Sequence, residues 1–221
     1  MSLAHEPIFL WMSQFAYQPT MVYAALVGMM LLSSFGFPLP EEVTLLSVGL
    51  LAFFGQHPEL FPPPFAGAPV VQTHTAMWVA TLAVFGSDVL VFSLGRVLGR
   101  NLLEKAWLRK VFPEKHQKTI EYWTRKYGAY TCAIFRFTPG VRFPGHLAYG
   151  MMKFPLWKFA AIDGLAVLVS VPTQIYLMAT YGEQVLVFLR RFKIGLGVLL
   201  GLVLFIWMFT KWKERWRRPL L

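Results

Sequence analysis

Phe135-Arg136-Phe137-Thr138-Pro139-Gly140-Val141-Arg142 sets two arginines six positions apart inside apolar sequence. A guanidinium keeps its proton at any useful pH, so burying one in hydrocarbon costs about 2.5–3.5 kcal/mol or more and calls for an anionic partner. Thr138-Pro139-Gly140 between them breaks a helix, because proline lacks a backbone donor and glycine admits positive φ. Pro139 and Gly140 therefore mark the tip of a broken segment. Unpaired backbone at membrane depth is tolerated only where protein buries it or a polar cavity meets it. These two constraints point to a polar site within a bilayer.

Composition agrees. Of 221 residues, 56% are hydrophobic and only 14% are charged, against roughly 25% charged in soluble domains. The expected fold is an all-α polytopic membrane protein, a single membrane domain over residues 1–221. The formal net charge of +10 is concentrated in two clusters, eight Lys/Arg between Arg100 and Lys126 and five between Lys211 and Arg218. Both border apolar runs, so they read as cytoplasmic segments facing anionic lipid, and no nucleic acid partner is expected. The lone Cys132 allows no intrachain disulfide and reads as a small core residue; neither a metal nor a cofactor is expected. Met1 to Thr20 carries no Lys or Arg, unlike a cleavable leader, so the first span is expected to be retained.

Along the chain, Met21 to Leu32 is apolar and runs into Phe37-Pro38-Leu39-Pro40-Glu41-Glu42, where Pro38 and Pro40 end the helix. Val43 to Phe54 suits a half-membrane helix, and the proline-rich stretch from Gln56 to Thr73 reads as an exposed loop. A span is expected from about Ala76 to Leu98, interrupted by Gly86-Ser87-Asp88. Arg100 to Tyr127 has the spacing of an amphipathic interfacial helix. A second broken segment covers 128–150, and a further span runs from Leu156 to Tyr181 with Asp163 near its start. A last transmembrane helix over 194–210 leads into a basic cytoplasmic tail, 211–221. Each half thus holds a broken segment bearing charge and a span bearing an aspartate. The pattern is that of an inverted repeat, with about four transmembrane helices and two facing re-entrant hairpins, about 36–54 and 128–150.

Phe37-Pro38-Leu39-Pro40-Glu41-Glu42, Gly86-Ser87-Asp88, Gly95-Arg96, Tyr127-Gly128, Arg136 to Arg142 and Gly150-Met151 occur in an order and spacing that resemble the DedA family, also called SNARE-associated Golgi or VTT-domain proteins. The resemblance covers a core of about 36–182. It implies a multi-pass protein of the bacterial inner membrane with its C-terminus cytoplasmic. It further implies a flippase or scramblase for phospholipids or polyprenyl phosphates such as undecaprenyl phosphate, coupled in some members to the proton motive force. The family's acidic positions fall on Glu42 and Asp88, and its paired arginines on Arg136 and Arg142. Ser33 stands where many members carry a further acid.

The residues themselves support a phosphate fork, since arginine offers two parallel donors to phosphate oxygens. Glu42 and Asp88 are the candidates for counter-charge and proton coupling. Glu41, Arg96 and Asp163 are secondary: Glu41 and Glu42 equally suit a helix start, Arg96 suits a snorkelling side chain, and Asp163 suits capping or interface exposure. An enzyme is the rival class. Phe143-Pro144-Gly145-His146 is similar to an element of membrane lipid phosphatases that use a nucleophilic histidine, but no second histidine follows His146. A proton or ion channel or antiporter is the third reading, opposed by two central cations.

Overall fold

The computed structural model describes residues 7–35, 37, 41–98, 122–123, 126–128, 130–136 and 142–185, and all of their regular structure is helical. Helix α1 spans Pro7–Ala16, α2 Pro19–Ser34, α3 Glu41–Gln56, α4 Thr73–Leu98, α5 Tyr130–Arg136 and α6 Arg142–Met151. A final described helix, α7, spans Leu156–Val185. The last transmembrane helix at 194–210, the basic tail and most of the interfacial helix lie outside the described residues, as do the break residues Pro38, Pro40, Pro139 and Gly140.

Among the described residues two helices, α4 and α7, are long and apolar enough to cross a membrane, and α1 with α2 pass jointly as a third, bent by 97°. Pro19 sets that bend. It occupies the first turn of α2, where its missing N–H is not needed, and the Gln18 carbonyl accepts the first helical bond from Val22. At about 1.5 Å per residue, α3 (16 residues), α5 (seven) and α6 (ten) measure roughly 24, 10 and 15 Å, short of a ~30 Å hydrocarbon core.

The core is written in steps of four. Val22, Leu26 and Met30 of α2, Ala76, Ala80 and Val84 of α4, and Val167, Val171, Ile175 and Ala179 of α7 form one buried cluster with Leu45, Val48 and Ala52 of α3. Residues four apart on a helix lie one above another, so each series is a single inward stripe. The outward faces are apolar too: Leu82 and Val169 are about two-thirds exposed, at 66% and 67%, as a lipid-facing surface requires.

Glycines let backbones meet. A Cβ at Gly95 of α4 would strike the Leu147 carbonyl of α6, and one at Gly150 of α6 would strike the Phe92 carbonyl of α4. The two helices therefore cross in direct backbone contact, which the isolated glycines of the sequence had not disclosed. Helix α6 then ends in a Schellman turn. The Phe154 N–H donates to Tyr149 O at 3.1 Å, and the Lys153 N–H to Gly150 O at 2.9 Å. Lys153 takes φ 54°, and the Phe154 ring meets Tyr149 edge-on at 5.1 Å. The Pro155 carbonyl then accepts from Lys158 and Phe159, starting α7.

Two expectations need correction. Gly86-Ser87-Asp88 does not interrupt α4, which is helical throughout Thr73–Leu98, because its neighbours hold the glycine in helix. The stretch 57–72 is mostly exposed, but Phe61 and Val71 are buried. Tyr17 donates to Phe61 O at 2.6 Å, and the Val71 N–H to Ala16 O at 2.8 Å, pinning the loop to the α1–α2 bend.

Candidate functional site

The inward stripes of α4 and α7 each carry one acid. Asp88 lies four residues after Val84 and four before Phe92; Asp163 lies four after Phe159 and four before Val167. Both are buried with those neighbours, Asp88 at 2% and Asp163 at 0% exposure. Asp88 precedes the end of α4 by ten residues and Asp163 follows the start of α7 by seven. They lie roughly 10–15 Å from the same end of the bundle. That end is tied by Arg96, whose Nη1 donates to Phe154 O at 3.2 Å.

Two buried charges of one sign need cations, and α5 and α6 supply them. Arg136 closes α5, where a cation complements the unpaired carbonyls of a helix end. Its Nη1 donates to Asp88 Oδ2 at 2.8 Å, its Nε to Ser170 Oγ at 3.1 Å and its Nη2 to Glu41 Oε1 at 3.4 Å. Asp163 Oδ1 is 3.6 Å from the same Nη1. Arg142 opens α6, where a cation is disfavoured by the helix dipole and so depends more on its carboxylates. It donates to Asp88 Oδ1 from Nε at 2.9 Å and from Nη2 at 2.6 Å, and its Nη1 pairs with Glu41 Oε2. Arg142 is the more open of the two, its side chain 17% exposed against 4% for Arg136.

Glu41, rather than Glu42, meets the arginines. The two are adjacent on α3, so their side chains diverge by about 100°, and only one can point inward. Glu42 is exposed in the first turn, where an acid favours the helix dipole. Asp163 is fully buried instead of capping its helix. Arg96 is exposed and bonds a backbone carbonyl. Ser33 is half-buried on α2, and the adjacent Ser34 donates to Ser87 O at 3.2 Å, joining α2 to α4 one residue before Asp88.

His146 completes the cluster. It is fully buried, with Nδ1 3.1 Å from Asp88 Oδ1 and Nε2 3.6 Å from Asp163 Oδ1. Phe159 stands edge-on to its ring at 5.1 Å and stacks on Phe92 at 4.5 Å. Cys132 of α5 is buried beside them, its Sγ within 4.8 Å of a His146 nitrogen and an Asp163 oxygen. Arg136 already faces Asp163, so a dication among these three groups would meet a guanidinium at close range.

The site thus draws on residues bordering both breaks in the sequence: Glu41 after the first, Arg136 before and Arg142 after the second. In electrostatic terms two guanidiniums face three carboxylates, Glu41, Asp88 and Asp163. The sequence left Glu41, Asp163 and His146 outside the primary set. The four-residue stripe through Phe159 and Val167 is the signal that places Asp163 inward.

A buried arginine–carboxylate cluster on glycine-packed helices, set among helices apolar and long enough to cross a membrane, defines a polytopic membrane protein with an interior ionic site. The chain matches the VTT domain over residues 18–180 and belongs to that family, the DedA family. It is 29% identical over 156 residues to an uncharacterized membrane protein of Haemophilus influenzae, covering 70% of this chain and 68% of the relative. An uncharacterized membrane protein of Mycobacterium tuberculosis is 32% identical over 150 residues, 66% of this chain and 62% of its own. The undecaprenyl phosphate transporter A of Bacillus subtilis is 29% identical over 98 residues, 44% of this chain and 50% of that protein. No solved structure matches.

Proposed function

We propose that this protein moves a phosphate-bearing lipid, a polyprenyl phosphate or a phospholipid, between the leaflets of a bacterial cytoplasmic membrane without changing it chemically. The observation that carries the reading is the shared grip of Arg136 and Arg142 on the carboxylate of Asp88, at 2.6–2.9 Å. A phosphate offers the same two-oxygen edge with an additional acceptor, so it can replace that carboxylate between the guanidiniums. The N-terminus of α6, where Arg142 sits, also favours an anion. The name of the Bacillus subtilis relative supports a polyprenyl phosphate as substrate.

In this reading Arg136 and Arg142 hold the lipid phosphate, while Asp88 and Glu41 neutralise them when no lipid is present. Residues 36–182 form the translocating core, with the two breaks facing one another, and the basic tail lies in the cytoplasm. Glu42 faces outward and serves as a helix-start residue.

Reconstitution into liposomes containing fluorescent polyprenyl phosphate, or phospholipids with different headgroups, tests the reading. Lipid should become accessible to an external quencher only with protein present, and inorganic phosphate should stay at background. Phosphate release that disappears in His146→Ala would instead establish a lipid phosphatase with His146 as nucleophile.

A further inference from the structure

We infer that His146 and Asp163 form a proton-binding site, in which one proton sits between His146 Nε2 and Asp163 Oδ1. The inference begins with hydrogen-bond bookkeeping at atoms that cannot reach water. Asp88 Oδ1 accepts from His146 Nδ1 at 3.1 Å, so the neutral imidazole carries its hydrogen on Nδ1 and presents a lone pair at Nε2. That lone pair points at another acceptor, Asp163 Oδ1, 3.6 Å away. His146 Nε2 and both Asp163 oxygens are buried and make no hydrogen bond. Two acceptors facing each other in a dry interior repel, and neither recovers the hydrogen bonds with water that burial removed.

The charges make the same demand. Facing His146 are Asp88 from α4, Arg142 from its own helix, Arg136 and Cys132 from α5 and Asp163 from α7, with Glu41 of α3 behind the arginines. Among the described residues, two guanidiniums against three carboxylates leave one negative charge, and one proton brings the cluster to neutrality. Whether it resides on the imidazole or the carboxyl, it supplies the missing donor between Nε2 and Oδ1. A dication would also supply charge, but it would stand beside Arg136, itself 3.6 Å from Asp163.

The consequence of this site rests on the lipid-translocation reading; its existence does not. When a lipid phosphate takes the arginines, Asp88 is released from its three arginine contacts and keeps only His146 Nδ1, and the proton on the adjacent His146–Asp163 pair can pass along the imidazole to neutralise it. Lipid release returns Asp88 to the arginines and the proton to the pair.

The direct test is infrared difference spectroscopy of the purified protein in detergent, titrated between acid and alkaline pH. On acidification there should appear either a buried protonated-carboxyl band that vanishes in Asp163→Asn and shifts in His146→Gln, or an imidazolium band that vanishes in His146→Gln and shifts in Asp163→Asn. In proteoliposomes the wild-type rate should change by up to about tenfold per pH unit across the titration, and both variants should flatten that profile. A band and profile unaltered by either substitution would overturn the proton site, even if lipid moves. Should wild type move no lipid while either band titrates, the transport reading fails and the site stands. One equivalent of zinc retained by wild type and lost in Cys132→Ser would likewise overturn it, making the cluster a metal centre.

Discussion

Asp88 accepts from three residues at once, Arg136, Arg142 and His146. Asp88→Asn keeps the shape but leaves two buried guanidiniums with a neutral acceptor, and should cost about 3–5 kcal/mol of stability in a detergent melt. Arg136→Lys should abolish most lipid movement, because one ammonium cannot span Asp88, Ser170 and Glu41 as the planar guanidinium does. The neighbouring acids separate cleanly: Glu41→Gln should slow translocation about ten- to hundredfold, on the order of 1–3 kcal/mol, while Glu42→Gln stays near wild type. Equal effects in a quenching assay would show that Glu41 contributes nothing particular. The arginines and Asp88 were legible in the sequence because charge inside an apolar run is conspicuous. The choice between Glu41 and Glu42 was not, since it depends on the rotation of α3 about its axis, which a proline break upstream leaves open.

At the scale of elements, the four-residue stripes made α4 and α7 readable, as apolar helices with small and branched residues facing inward. The separation of α5 from α6 was equally legible in Pro139-Gly140; what the sequence concealed was that α6 lies against α4 through glycine. That contact has no side chain to soften a change. Gly150→Leu should force α4 and α6 apart and lower the melting temperature by the equivalent of about 1–3 kcal/mol or more, with lipid movement lost. The turn that follows has the opposite prospect. Lys153 adopts φ 54° at a position glycine occupies at lower cost, so Lys153→Gly should stabilise the protein by about 0.5–1 kcal/mol, provided the charge has no other use. A melt that falls instead would mean the lysine charge contributes more than the backbone strain costs.

The whole molecule joins residues far apart in the chain: Asp88 and Arg136 are separated by 48 positions, and Glu41 and Arg136 by 95. These separations have a consequence in time. At roughly 5–20 residues per second, α4 emerges from the ribosome about 2–10 seconds before the arginine that will neutralise its acid. Asp88 must therefore enter the bilayer unpartnered, carried by the apolar remainder of its helix against a cost of about 2.5–3.5 kcal/mol. Loss of Arg136 cannot disturb an insertion that is already finished. Pulse-chase labelling of Arg136→Ala should accordingly show normal membrane integration followed by a shortened half-life, as quality-control proteases meet a nascent bundle whose three acids share the single cation of Arg142.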